Sequence, residues 1–319
     1  MVKKCKQMSD TRQADIPTAV QQAHLDTPRV FHVLGVASCV GASDRTCQEG
    51  PEALRALLKC QPLPDLRWVT TLRDPQDVAM DAYAMVAALA PRVAQQTQLW
   101  SAHGHQFVVV GGDHSCAIGT WSGVARSLRG RGALGLLWID AHMDAHTPET
   151  SPSGALHGMP LAMLLGAGPP DLVRLAGTIP ALQPRHVWLI GVRSYEAQEQ
   201  QRLTDLGVNI RYMTEVKTRG LAAIIAEALA DLQRNTEAFG VSVDLDALDP
   251  VDAPGVGSPE PGGITADALL AALHGLGRHA QVVGLEIAEL NPRYDLHQKT
   301  VRLAYDLLAA WIGYGHPRT

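Results

Sequence analysis

Three short apolar runs in this chain each end in side chains that a protein interior tolerates only in company. Phe107-Val108-Val109-Val110 runs into Gly111-Gly112-Asp113-His114-Ser115, Ala133 to Ile139 runs into Asp140-Ala141-His142-Met143-Asp144, and Val241-Ser242-Val243 runs into Asp244-Leu245-Asp246. Asp140, His142 and Asp144 stand at i, i+2 and i+4. They cannot share one helix face, where neighbours lie three or four apart. They suit the place where a strand ends and the chain turns. In a strand, i and i+2 point the same way, so Asp244 and Asp246 face one site together. In open α/β sheets ligands bind outside the carboxyl ends of the strands, and here three strands deliver ionisable groups to such ends.

The rest of the chain supplies the frame. From Val30 on, strands and helices alternate. Strands are predicted at Val30–Val36, Gln106–Val110, Gly135–Ile139, His186–Ile190, Ala238–Val243 and Val282–Ile287. Helices are predicted at Glu52–Lys59, Asp77–Ala102, Ala117–Leu128, Leu156–Leu165, Glu196–Leu206, Leu221–Arg234, Ala266–Leu276 and Leu296–Trp311. Apolar strands joined by helical crossovers indicate a mostly parallel central sheet covered on both faces, a three-layer α/β/α fold. Met80, Met85 and Trp100 read as packing residues of the Ala-rich second helix. Gly166–Pro170 and Ala253–Gly263 read as loops at the rim of a pocket.

Length and composition set bounds. A chain of 319 residues that is 46% apolar is long enough for one large α/β domain, placed at residues 28–319. A net charge of −5 without a basic stripe excludes a nucleic-acid partner. The start, MVKKCKQMSDTRQADIP, is basic but has no apolar h-region, so it is neither signal peptide nor membrane span. Residues 1–27 are expected to form a mobile polar leader, and the protein to be cytoplasmic. Cys5, Cys39, Cys47, Cys60 and Cys116 are odd in number and unpatterned, and are expected to be free thiols.

His114, Asp140, His142, Asp144, Asp244 and Asp246 are the candidate metal ligands. Crowded ionisable groups repel or pay for desolvation unless something cationic neutralises them. Six ligands are too many for one tetrahedral zinc. They suit two divalent ions about 3.5–4 Å apart sharing carboxylates. Hard oxygen ligands with some nitrogen and no thiolate favour Mn²⁺, with Ni²⁺, Co²⁺ or Fe²⁺ as alternatives.

GGDHS, DAHMD with a following HGMP, SVDLDALDP and GLEIAELNP, in that order, resemble the motifs of the arginase (ureohydrolase) family over nearly the whole chain. The loop Thr147–His157 is more similar to arginases than to agmatinases. The resemblance implies a two-manganese centre at which a metal-bridging hydroxide attacks a guanidinium carbon and releases urea or a related product. It implies that His114 and Asp144 hold one ion, that His142 and Asp246 hold the other, and that Asp140 and Asp244 bridge them. Asp246 would stand beside the hydroxide as proton acceptor. His157 would shuttle protons, as suits a side chain titrating near neutrality. Glu289 would accept the guanidinium as a bidentate fork, with Glu286 a weaker candidate on the opposite side of its strand. Asp113 and Asp249 read as supporting or turn-capping groups. The small-molecule substrate would be the main partner, with no membrane, in a homo-oligomer (trimer or hexamer) or a hetero-oligomer with a paralogue.

The match departs from arginases at one end of the pocket. Arginases carry DxHxDxN, and SGN before HG, and these asparagines and the serine hold the amino-acid head of arginine. Here Ser153 is kept, but the asparagine positions are His146 and Ala155. Of the family's acidic pair after the strand-end arginine, only Glu196 remains, in Arg193-Ser194-Tyr195-Glu196. His146, Ser153, Ala155, Glu196 and Glu289 are therefore the candidate substrate-binding residues. Agmatine, a guanidino acid, guanidine itself, or an alkylguanidine or biguanide are all open as substrate, L-arginine included. Two readings of other classes stand beside this one: a non-catalytic subunit that assembles with an active paralogue, and a one-zinc hydrolase of the related deacetylase fold.

Overall fold

The computed structural model describes residues 29–75 and 79–315. In chain order these form β1 (Phe31–Ala37), α1 (Gly50–Cys60), β2 (Leu66–Arg73), α2 (Ala82–Ala102), β3 (Phe107–Gly111), α3 (Cys116–Ser127), β4 (Leu134–Ile139), α4 (Pro160–Leu164), α5 (Pro170–Val173), β5 (Val187–Val192), α6 (Ala197–Leu206), β6 (Asn209–Tyr212), α7 (Met213–Arg219), α8 (Leu221–Asn235), β7 (Ala238–Asp244), α9 (Ala266–Leu273), β8 (Val282–Ala288) and α10 (Lys299–Trp311). The eight strands make one sheet in the order β2-β1-β3-β8-β7-β4-β5-β6, and every pairing is parallel.

Alternation along each strand divides the core into two layers. Val108, Val110, Leu137, Ile139, Val241 and Val243 belong to one apolar cluster, together with Leu54 of α1, Ile224 of α8, Leu269 of α9 and Leu307 of α10. Phe107, Val109, Leu136 and Trp138 belong to the other, with Leu89 of α2, Trp121 of α3 and Leu161 of α4. A strand covered on both faces buries every side chain, which is why β3, β4, β5 and β7 are buried along their whole length. Gly240 makes room for this packing: a Cβ there would lie 2.0 Å from the Trp121 ring.

Several expectations are corrected. The sheet has two strands that were not expected, β2 and β6. Both are sheet edges, half exposed and partly polar, so they lack the continuous apolar run of a central strand. The expected helix Leu156–Leu165 is a 3₁₀ turn at Leu156–Gly158 followed by α4, because Pro160 takes the first helical position and starts a new helix. The expected Ala266–Leu276 ends at Leu273, and Gly275 adopts φ 71°. The last helix starts at Lys299, after His297 and Gln298 take φ 57°. Helix α2 starts at Ala82, capped by Asp81 through Ala84 N; residues 77–78 of the expected helix, like the leader 1–27, lie outside the described residues. Met85 and Trp100 pack in the core as expected.

The thiol expectation fails at one pair. Cys39 and Cys47 form a disulfide, with their Cα atoms 5.5 Å apart, inside the range such bonds span. The loop between β1 and α1 folds back on itself and brings them together, which spacing alone does not show. Cys60 is free and exposed, and Cys116 is free and buried. Among the described residues, no helix is long and apolar enough to cross a membrane.

Candidate metal centre

The four central strands of the sheet, β3, β8, β7 and β4, lie side by side, and the chain leaving each one carries site residues. His114 follows β3, Glu289 follows β8, Asp244 and Asp246 end β7, and Asp140, His142 and Asp144 follow β4. The six expected ligands converge. His114 Nδ1 lies 3.0 Å from Asp244 Oδ2, 3.1 Å from Asp144 Oδ2 and 3.4 Å from Asp140 Oδ2. His142 Nδ1 lies 3.1 Å from Asp246 Oδ2 and 3.6 Å from Asp140 Oδ1. They thus fall into two groups that could each hold an ion: His114, Asp140, Asp144 and Asp244, and Asp140, His142 and Asp246. Asp140 stands in both. Asp244 turns Oδ2 to the first group, while its Oδ1 accepts from Asp246 N at 2.9 Å.

The protein around these residues orients them. His114 Nε2 lies 2.9 Å from Ser242 Oγ, and Ser242 Oγ donates to Glu286 Oε2 at 3.2 Å. That chain places a proton on Nε2 and turns Nδ1 to the carboxylates. Ser242 and Glu286 are opposite one another in the register of β7 and β8. Glu286 therefore supports His114 from behind and does not open on the site. The Trp138 ring stacks on His114 with centroids 4.4 Å apart, and its Nε1 donates to Asp140 Oδ2 at 2.8 Å. Asp140 Oδ1 accepts from His142 N at 2.7 Å. Asp144 (φ 50°) and Glu289 (φ 63°) both sit in left-handed backbone, the kind of strain that persists where surrounding structure imposes it.

The electrostatics call for a cation. Burial, and then Asp140 beside it, lift the Asp144 carboxyl to about 7. Burial, and then Asp244, lift Asp246 well above the carboxylate range. Burial alone would push His114 down, but the carboxylates of Asp140, Asp144 and Asp244 close to it outweigh burial and raise the imidazole well above its ordinary value. Asp140 is buried too, yet His114 and His142 hold it below the usual range. So the protons and imidazolium charges gathered here balance four crowded carboxylates. His114 Nδ1 and Asp144 Oδ2 are buried without a hydrogen-bond partner. Unpaired buried polar atoms are costly, and divalent ions on these oxygens and nitrogens would satisfy both the atoms and the charge. The donor set fits two such ions.

Glu289 and His157 close the site. Glu289 Oε1 accepts from His114 N at 3.0 Å and pairs with His157 Nδ1 at 3.0 Å; Glu289 N donates to Gly112 O at 2.7 Å. Glu289 Oε1 is thus already engaged, and Oε2 faces the loop at Gly257. His157 does not titrate near neutrality as expected. Burial would lower it, but the Glu289 carboxylate outweighs burial and carries it to about 10, so it is a cation at neutral pH. Asp113 Oδ2 accepts from Gly41 N, and Asp249 clamps its loop through Val251 N, Gly262 N and Gly263 N.

At the far end, His146 is buried and its Nε2 lies 2.9 Å from Glu196 Oε2 and 3.3 Å from Glu199 Oε2. Glu196 caps α6 in a capping box with Glu199, and Glu199 also takes Ala145 N at 2.9 Å. Ser153 is exposed, its Oγ turned back to Ala155 N at 3.2 Å; Ala155 is half-buried. Sequence reasoning missed Ser242, Trp138, Glu199 and Glu260, the last lying 3.9 Å from His142 Nε2. Only Glu199 had a signal, as an acid three residues after a helix-capping acid.

The sequence profile of the Arginase family matches residues 29–313. The chain belongs to the arginase family. It is 36% identical over 293 residues to the arginase of Bacillus caldovelox, covering 88% of this chain and 97% of that one. It is 34% identical to the arginase of Bacillus subtilis (strain 168), covering 89% and 98%. The crystal structure of a Bacillus subtilis arginase superposes with a TM-score of 0.81 at 34% identity, covering 90% of this chain and 99% of that chain. Formimidoylglutamase from Bacillus subtilis, 24% identical with a TM-score of 0.73, shares the fold. Family members are ureohydrolases that use a binuclear metal centre, and this family member carries the buried His/Asp groups that fit one.

Proposed function

We propose that this family member hydrolyses a small guanidino compound at a two-metal centre and releases urea or a related product, and that its best substrate lacks the full amino-acid head of arginine. The observation that carries the reading is the convergence of six buried or half-buried ligands into two adjoining groups that share Asp140. His114, Asp140, Asp144 and Asp244 would hold one ion, and Asp140, His142 and Asp246 the other, with Mn²⁺ first and Ni²⁺ or Co²⁺ as alternatives. Two bound ions would supply a water activated for attack on the guanidinium carbon at neutral pH.

The chain's own residues do the rest. Glu289 binds the guanidinium through Oε2, since Oε1 is engaged by His114 N and His157 Nδ1. Asp246, 3.1 Å from His142 in the second ligand group, accepts a proton. His157 hands a proton towards the leaving group from the imidazolium that Glu289 maintains. The tail of the substrate meets His146, Ser153, Ala155 and Glu196. An α-ammonium needs an acid, and Glu196 is already tied to His146; an α-carboxylate needs donors, and Ala155 brings no side-chain donor, which leaves the Ser153 hydroxyl. Each unmatched charge costs affinity, so a smaller or less polar tail suits the pocket.

Likeness to proteins named arginase supports a second reading, in which the substrate is L-arginine. As in the family at large, we place the protein among oligomers, a trimer or hexamer, and in the cytoplasm. A urea-release screen with Mn²⁺- and Ni²⁺-loaded protein decides between substrates. It covers L-arginine, agmatine, a guanidino acid, guanidine, an alkylguanidine and a biguanide. We expect the highest kcat/KM on a compound without the amino-acid head. Selective hydrolysis of L-arginine establishes the second reading, and urea from none of them ends both.

A further inference from the structure

The loop between β1 and α1 is placed to control the site. Its disulfide joins Cys39 to Cys47. Between and beside those cysteines, the loop touches three of the site's own segments, twice through its backbone and once through the Thr46 side chain. Ser38 O accepts from Asp113 N at 3.1 Å, and Gly41 N donates to Asp113 Oδ2 at 2.8 Å, next to His114. Gly41 O accepts from His157 N at 3.1 Å. Thr46 Oγ1 bonds the Asn291 amide, two residues past Glu289. The fit is close: a Cβ on Gly112 would lie 1.9 Å from Ser38 O and 3.1 Å from Cys47 O, and one on Gly50 would lie 2.2 Å from Leu290 O. Gly112 O is also the acceptor of Glu289 N.

We infer that Cys39 and Cys47 are a redox modification site whose disulfide holds His157 and Glu289 in working position, so that the oxidised protein is the more active form. The disulfide closes a short loop, and opening it leaves the segment held by the hydrogen bonds above, by the buried Val40 side chain and, at its far end, by the Arg293–Glu49 ion pair. Both sulfurs are buried, while Ser43, Arg45 and Gln48 between and beside them are exposed. Exchange therefore proceeds through local opening of the loop. The oxidant is a small-molecule disulfide of the glutathione class. One cysteine, as thiolate, attacks it and expels one small thiol. The second cysteine then attacks the mixed disulfide, forms the Sγ–Sγ bond and expels a second small thiol. Each cysteine gives up one proton and each expelled thiolate takes one up. Two cysteines are oxidised and one small disulfide is reduced.

The test uses full-length, metal-loaded protein poised in mixtures of reduced and oxidised glutathione. Peptide mass mapping scores the Cys39–Cys47 link, metal content is measured in each state, and amide hydrogen exchange is followed at residues 38–49 and 155–159. On reduction we expect faster exchange in both segments with both metals retained. With the substrate found by the urea screen, we expect kcat to fall about tenfold with KM less changed, a size that small displacements of catalytic groups produce. The Cys39→Ser/Cys47→Ser variant should sit at the reduced level under all conditions, which separates this pair from Cys60 and Cys116. The activity arm rests on the proposed guanidino hydrolysis. The exchange arm does not, so an inactive protein leaves the inference tested. No Cys39–Cys47 link at any poise, or unchanged exchange at residues 155–159 on reduction, overturns it. So does a reductant response that persists in the double variant.

Discussion

Ser242→Ala tests how the interior holds a metal ligand. Ser242 is fully buried, accepts from His114 Nε2–H at 2.9 Å and donates to Glu286 Oε2 at 3.2 Å. The substitution deletes one oxygen and leaves the imidazole N–H without a partner. It also takes the Ser242 donor from Glu286 Oε2, while Glu286 Oε1 keeps Cys116 Sγ at 2.8 Å and Thr120 Oγ1 at 3.4 Å. An orphaned buried donor costs about 1–3 kcal/mol. For a domain of this size that is roughly 2–4 °C of Tm per kcal/mol. Removing the partner that orients a metal-ligating histidine lowers metal affinity about 10–100-fold, or about 1.4–2.7 kcal/mol. The loss should be lopsided, because His114 belongs to one ligand group while His142 belongs to the other. Titration calorimetry with Mn²⁺ reads both sites, and thermal unfolding with and without Mn²⁺ reads the stability term. One site weakened and the other unchanged is the expected result. Wild-type affinity at both sites, or equal weakening of both, would refute the reasoning.

Asp140→Asn should weaken both sites and abolish turnover, because Asp140 alone stands in both ligand groups, whereas Asp144→Asn should weaken mainly one; metal analysis after dialysis reads the difference. The His157 imidazole should titrate near 10 by NMR, because its charged form is held by Glu289; in Glu289→Gln the midpoint should drop towards the ordinary histidine value, and a midpoint already near neutrality in the wild type would mean the pair does not form. His146→Asn with Ala155→Asn should raise kcat/KM on L-arginine, and no change would show that these positions do not shape the tail pocket. Gly240→Ala should cost about 1–3 kcal/mol in denaturant unfolding, since its Cβ would collide with the Trp121 ring.

The residues that converge at the candidate metal centre were legible in the sequence because strand-end spacing is a local code. Asp140, His142 and Asp144, and Asp244 and Asp246, sit at period-two positions where apolar runs stop, so both the strands and the ligands follow from one pattern. The groups that orient them were not legible. Ser242 and Trp138 lie inside buried strands where neither differs in pattern from a packing residue. Ser242 meets Glu286 only because β7 and β8 are adjacent and in register, a pairing between segments some forty residues apart. The edge strands β2 and β6 escaped because half-exposed edges carry polar residues, and the break at Pro160 was read through because the residues around it remain apolar. The Glu289–His157 pair and the Cys39–Cys47 link likewise depend on loops whose course no local pattern announces.

Equilibrium dialysis of the purified chain against Mn²⁺, with bound metal counted per chain, tests the central claim most directly. The account predicts two ions per wild-type chain, falling to about one in His142→Ala. A single ion per wild-type chain, or none, would contradict it.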